Sequence, residues 1–190
     1  MDRLINKIKA YIPLTDSEIE LVKKLFRKKQ FEKGEFVLEE GCICKNLVFV
    51  ETGMLRQFIN YAGRELNIHF NEENSFACDY QSFITKMPSA KTIVALENAN
   101  LYIISHKDLQ TFYKDIRYGE KFGRLLLEEI FIQAIEHIVS VHKDSAEQRY
   151  LHFISNYRHL QQRIPQLYIA SYIGVTPQSL SRIRNRLSKK

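Results

Sequence analysis

Gln178, Ser181, Arg182 and Asn185 recur at a spacing that gathers them on one side of a helix turning about 100° per residue. Leu180, Ile183 and Leu187 fall on the opposite side, with Arg184 and Arg186 on the flanks. A guanidinium and a primary amide can each make paired hydrogen bonds to a base edge, Arg182 to guanine O6 and N7 and Gln178 to adenine N6 and N7. Ser179, Asn185 and Arg186, with Lys189 and Lys190 beyond them, carry donors suited to backbone phosphates, contacts that position without specifying sequence. Charge points the same way. Residues 148–190 contain no Asp or Glu and eight Lys or Arg, a one-sign field suited to a polyanion.

These side chains need a short helix held at a fixed angle. Thr176 is a favourable N-cap and Pro177 suits the first helical position, so a helix is predicted to begin there. A preceding helix over residues 165–173 carries Leu167, Ala170 and Ile173 at packing spacing, and Gly174 permits the left-handed turn that ends it. Small Ala170 and Gly174 let two helices cross closely, as in a helix-turn-helix. A wing would have to come from residues 158–164, or be absent.

A second set of reactive types lies earlier. Cys42, Cys44 and Cys78 are an odd number without regular spacing, which argues against a disulfide framework, and no Cys/His pair completes a four-ligand zinc site. Buried or incidental thiols are the expectation, with a thiol sensor as an alternative. Cys78, Asp79 and His69 as a catalytic set have no nucleophile motif around them and would leave the basic C-terminus unexplained, so no enzyme is expected. The remaining alternative is a ligand-binding or protein-interaction module that does not contact DNA.

The 190-residue chain is 45% apolar with 12% aromatics, ample for a packed core, and its net charge is +6. No apolar run approaches the ~20 residues of a membrane span, and the N-terminus lacks a signal-peptide core, so a cytoplasmic protein is expected. A short amphipathic helix with Leu4, Ile5 and Ile8 comes first. Thr15 and Glu18 form a capping box for a second helix to about residue 27, with Ile19, Val22 and Phe26 along one side. Residues 30–105 change period to strand-length runs separated by Gly34, Gly41, Gly53 and Gly63, which predicts a sandwich or barrel. Tyr61, Ala62, Gly63 and Arg64 read as a hairpin turn, and residues 71–90 as a loop with a helical turn at 80–84. A long helix over 118–142 has Leu127, Ile130, Phe131, Ile132, Ala134, Ile135, Ile138, Val139 and Val141 on an arc of roughly 200°, twice what one core requires. That helix is expected to pair with a second copy. Asp144 with Glu147 reads as a capping box opening the next helix, which divides the chain into 1–117, 118–143 and 144–190.

FEKGEFVLEEG, NLVFVETGMLRQF and IASYIGVTPQSLSRIRNRL, in that order and separated by the long two-sided helix, resemble the Crp–Fnr family of bacterial transcription regulators. SAEQRYLHF at the C-terminal boundary looks like the Crp-like regulators of the Bacteroidetes. The resemblance covers essentially the whole chain. It implies an α+β fold: an N-terminal cyclic-nucleotide-binding-like β-barrel (jelly roll), a long dimerisation helix and a C-terminal (winged) helix-turn-helix. It also implies a homodimer on a palindromic double-stranded operator, with RNA polymerase as a further partner. The family's phosphate site, a Gly-Glu pair followed by Arg-Ser or Arg-Thr, matches Cys78-Asp79 and Ser89-Ala90, with Lys91 able to point into the same pocket. Cys78 replaces a glycine, Asp79 is one methylene short for a ribose contact, and Ser89 lacks the guanidinium that pairs with phosphate. Lys91 is a point charge rather than a fork. Weak or no cyclic-AMP binding is therefore expected, with another effector or none. The Fnr-type iron–sulfur pattern of four cysteines is not reproduced, so no cofactor is expected. In the recognition helix the resemblance matches Gln178, Ser181 and Arg182 to Glu-x-x-Ser-Arg, and the change from Glu to Gln removes an acceptor for cytosine N4.

Overall fold

The computed structural model describes residues 1–157 and 160–188. Helix α1 (Asp2–Lys9) buries Leu4, Ile5 and Ile8, as its periodicity requires. Helix α2 (Asp16–Leu25) opens on the expected reciprocal cap: Glu18 N donates to Thr15 Oγ1 at 3.3 Å and Thr15 N to Glu18 Oε2 at 2.8 Å. It stops short of residue 27 because Phe26 turns extended and leads into β1 (Arg27–Phe31), a strand not foreseen from its RKKQF sequence. Four of its five residues are exposed, the composition of a charged edge strand rather than of an alternating one.

Seven further strands follow: β2 (Phe36–Leu38), β3 (Asn46–Thr52), β4 (Leu55–Tyr61), β5 (Arg64–Asn71), β6 (Phe76–Ala77), β7 (Thr92–Ala95) and β8 (Ala99–Ser105). They form two four-stranded antiparallel sheets, ordered β1-β8-β3-β6 and β2-β7-β4-β5, so the expected barrel is a flattened roll. The β4–β5 hairpin closes through Ala62 (φ 48°) and Gly63 (φ 73°), both left-handed, matching the right-handed strand twist. Phe49, Leu55, Phe83, Ile93, Leu101, Ile104 and Phe112 lie in the main core. Helix α3 (Tyr80–Thr85) sits where a helical turn was expected.

Helix α4 (His106–Asp115) was not anticipated. Its signal is the cap, Asp108 N donating to Ser105 Oγ at 3.1 Å, with Leu109 and Phe112 buried. Helix α5 (Gly119–Lys143) is the long helix, and α6 (Ala146–Tyr157), α7 (Gln166–Tyr172) and α8 (Pro177–Leu187) complete the chain. The α6 cap corrects the expected Asp144–Glu147 box by one residue. Ser145 N donates to Gln148 Oε1 at 2.8 Å and Gln148 N to Ser145 Oγ at 3.3 Å. Asp144 instead accepts from Ser140 Oγ at 2.7 Å, one turn back at the end of α5. No strand follows β8 among the described residues, so of the two readings left open for a wing the described part of residues 158–164 contributes none. Residues 160–164 make a turn, with Ile164 N donating to Leu160 O at 3.0 Å, and Arg158 and His159 lie outside the described residues.

Gly53, between β3 and β4, has φ +91°, and a Cβ there would lie 2.6 Å from Asn98 O and 2.8 Å from the Ala99 Cα. Left-handed backbone and a backbone collision act together, so Gly53→Ala should lower unfolding free energy by about 2–4 kcal/mol in urea titration. A loss below about 0.5 kcal/mol would show that the β3–β4 turn relaxes freely.

Candidate nucleic-acid interface and barrel pocket

The helix-turn-helix is held by its own backbone. Gly174 (φ 69°) follows α7, Val175 N donates to Ala170 O at 2.9 Å and Gly174 N to Ser171 O at 3.1 Å, the paired bonds of a Schellman turn. Helix α8 begins at Pro177 with Ser179 N donating to Thr176 Oγ1 at 3.2 Å. Leu180 and Ile183 are buried with Ala170 and Ile173, so the amphipathic face read from spacing is the packed one. Gln178, Ser181, Arg182 and Asn185 are all exposed on the other side. Two expected contact residues are occupied. Ser179 Oγ accepts from Thr176 Oγ1 at 3.0 Å within the cap, and Arg186 is ion-paired with Glu147 of α6. Lys189 and Lys190 lie outside the described residues.

Arg149 was missed by sequence reasoning. Its Nε donates to Ile173 O at 2.7 Å and its Nη1 to Asp144 O at 2.6 Å, so one cation satisfies the carbonyl ends of α7 and α5 together. The docking of this unit on the roll was also not legible. Asn67 N in β5 donates to Ser171 Oγ at 3.0 Å, and Ser171 Oγ donates to Glu65 O at 2.9 Å. Arg163 forks onto Glu73 at 3.0 and 2.8 Å and also pairs with Glu97. Burial alone would raise the Glu73 carboxyl, but hydrogen bonds from Arg163 and the Gly53 amide outweigh it and hold its pKa below the ordinary carboxylate value. Phe70 meets Phe153, Tyr157 and Tyr172, and the Arg56 guanidinium lies between Phe58 and Tyr168, 4.1 and 4.0 Å from the ring centres.

Helix α5 changes character along its length. Phe122 and Leu126 are buried against the roll, but Phe131 is 65% exposed and Ile138 52%, and Ile132, Ile135, Val139 and Val141 are exposed as well. The apolar arc predicted for two partners has one among the described residues.

Of the expected effector residues, Cys78, Asp79, Ser89 and Lys91 come together, whereas Ala90 is exposed and turned away. Asp79 is 3% exposed. Ser89 Oγ donates to its Oδ2 at 2.7 Å, and Lys91 Nζ stands 3.0 Å from Oδ1, a charge contact without hydrogen-bond geometry. The positive group proposed for a ligand phosphate is thus engaged by a protein carboxylate. Deeper in the roll, Gln57 Nε2 donates to Asn71 Oδ1 at 2.7 Å and Asn71 Nδ2 to Phe76 O at 2.9 Å, a closed polar pair that sequence reasoning did not single out. Burial, with the nearby charges of His137 and Lys91, pushes the His69 pKa down to about 4, so its imidazole is neutral at pH 7. Among the described residues no group of three or more His, Cys, Asp or Glu is placed to hold a metal ion. No described helix is long and apolar enough to cross a membrane.

A family model for the cyclic nucleotide-binding domain matches residues 28–115, the eight strands apart from the first residue of β1, with α3 and α4. Over nearly the whole chain, solved structures share the arrangement. FixK2 from Bradyrhizobium japonicum is 15% identical with a TM-score of 0.76, covering 86% of this chain and 85% of that one. A transcriptional regulator of the Crp/Fnr family from Eubacterium rectale is 18% identical with a TM-score of 0.72, covering 94% and 88%. This chain shares the fold of these Crp–Fnr structures, and residues 28–115 of its roll match the cyclic nucleotide-binding domain. The same fold is found in the c-di-GMP-responsive global regulator CLP of Xanthomonas campestris, 14% identical with a TM-score of 0.71 over 92% of both chains. No curated protein matches the chain in sequence. Within that fold, α3 and the Asp79–Lys91 pair lie in the stretch that matches the domain model, and α7 with α8 form the C-terminal helical pair.

Removing the ammonium tests whether Asp79 depends on Lys91. Lys91→Met leaves a buried carboxylate facing Ser89 alone, and since the lysine is about one-third exposed the loss should be about 2–3 kcal/mol, below that of a fully buried pair. Adding Asp79→Asn should recover at least about 1 kcal/mol of it in a double-mutant cycle. Strictly additive losses would mean that the two groups do not share their charge.

Proposed function

We propose that this protein is a dimeric DNA-binding transcription regulator that reads a palindromic operator through α8. The observation that carries the reading is the exposed set Gln178, Ser181, Arg182 and Asn185 on a capped helix whose opposite face is locked into α7. Arg182 and Gln178 are the base-reading pair, Ser181 supports them, and Asn185 contacts backbone phosphate. Ser179 acts through the helix cap, and Arg186 reaches phosphate only by releasing Glu147. The three units 1–117, 118–143 and 144–190 act as sensor, dimer helix and reader, in the bacterial cytoplasm and together with RNA polymerase.

The uncovered arc of α5 supports a homodimer. Two parallel copies would bring the readers to half-sites about one helical turn, ~34 Å, apart. Ile135→Glu with Ile138→Glu should convert the dimer to a monomer in sedimentation velocity and abolish operator binding, while leaving the fold intact by circular dichroism. A double variant that still sediments as a dimer would place the interface elsewhere.

The Asp79–Ser89–Lys91 cluster supports a regulator that does not answer to cyclic AMP. A ligand phosphate would have to displace Asp79 from Lys91 and would still find no guanidinium at Ser89. Selection of bound duplexes from a random pool, with and without cyclic nucleotides, tests both statements, and the expected result is one palindromic motif enriched equally in both arms. Arg182→Ala should cost about 1–3 kcal/mol, roughly a 5- to 150-fold weaker Kd, concentrated at one base pair per half-site. Equal weakening on all sequences would reduce Arg182 to a phosphate contact.

A further inference from the structure

Cys44 and Cys78 are 34 residues apart in sequence, yet their sulfurs lie 3.7 Å from each other. Cys44 sits at the end of the β2–β3 connection and is 4% exposed; Cys78 lies between β6 and α3 and is half-buried. The connection is stitched to both sides of the Asp79–Ser89 cluster. Cys44 N donates to Ser82 Oγ in α3 at 2.9 Å, while Gly41 N donates to Ser89 O at 2.8 Å and Ser89 N to Cys42 O at 2.9 Å. Cys42 itself is exposed, with no such sulfur neighbour.

We propose that Cys44 and Cys78 are a hydroperoxide-oxidised dithiol, whose disulfide ties the β2–β3 connection to the start of α3 and so locks the segments around the Asp79–Ser89–Lys91 cluster. The sulfurs need to close from 3.7 Å to a bond of about 2.05 Å, a movement within reach of side-chain rotation and a small loop shift. The chemistry divides between them. The hydrogen bond from Cys78 outweighs burial and lowers the Cys44 thiol to about 7, so a good part of it is thiolate near neutrality, while the same bond and burial raise Cys78. Cys44 thiolate attacks one oxygen of hydrogen peroxide, the O–O bond breaks, and hydroxide leaves to give the Cys44 sulfenic acid. That hydroxide takes the Cys78 proton as water. Cys78 sulfur then attacks Cys44 Sγ, the S–O bond breaks, and the departing hydroxide is protonated by solvent. Two thiols and one peroxide become one disulfide and two waters, the two electrons passing from sulfur to oxygen.

Full-length protein treated with stoichiometric hydrogen peroxide and denatured under acid should show one titratable thiol in place of three, restored by dithiothreitol. Non-reducing peptide mapping should place the bond between Cys44 and Cys78. Cys42→Ser should form it unchanged, and its rate of formation should rise with pH through about 7. Amide exchange in residues 41–45 and 78–91 should slow at least severalfold on oxidation. A bond that includes Cys42, a link only between chains, or Cys44 sulfinic acid without a bond would overturn the dithiol, and the mapping reads these in wild-type protein, whatever the folding of cysteine variants. A Cys44–Cys78 bond that left exchange unchanged would overturn the locking of these segments.

Discussion

The grip of Arg163 on Glu73 and Glu97, set beside the Phe70 aromatic cluster, decides where the C-terminal helices stand. Arg163 precedes α7, and the two carboxylates come from the two sides of the roll's turns. A single exposed ion pair would contribute little, about 0–1 kcal/mol, but a forked guanidinium with two acceptors beside a desolvated ring cluster has both geometry and packing. Glu73 is itself held by the Gly53 amide, and Gly53 cannot carry a side chain. A tight turn between two strands therefore sets the position of a helix far along the chain. Because α7 is fixed on β5, α8 is fixed in turn, and its polar face stays free.

Charge is used in two contrasting ways. Inside the roll, charges are matched within the protein: Asp79 with Lys91 and Ser89, and Arg56 with Glu65 and Asn67. Desolvated charges without partners would cost several kcal/mol each, so these pairs close the interior to added charge. On α8 the opposite holds. Arg182 and Arg184 are exposed in a stretch that has no acid of its own, and the acid that α6 contributes, Glu147, engages Arg186 at the flank rather than Arg182 at the centre. The field left over lies on the exposed face of α8.

Local periodicity made much of this legible. The capped α2, the glycine-punctuated strands, the two-left-handed hairpin turn, the length of α5 and the Thr176–Pro177 start of α8 all follow from side-chain spacing and from residues that only certain backbones accept. The failures share a cause. Strand β1 carries RKKQF because an edge strand needs charge more than alternation, so its signal resembles a loop. The cap of α6 was misplaced by one residue because Asp144–Glu147 and Ser145–Gln148 have the same spacing, and only the hydrogen bonds separate them. Helix α4 was overlooked between two stronger patterns, although Ser105 and Asp108 mark its start.

The sequence by itself determined the kinds and order of elements, the face of α8 that turns outward, and the excess apolar arc of α5, since each is set by residues a few positions apart. Tertiary structure alone decided which distant groups meet. It put Lys91 on Asp79, Cys44 beside Cys78, Arg149 under two helix ends, Arg186 on Glu147, and α7 against β5. Those pairings span from 5 to 104 residues of chain, and the longer ones depend on how sheets and helices pack, which no local period encodes.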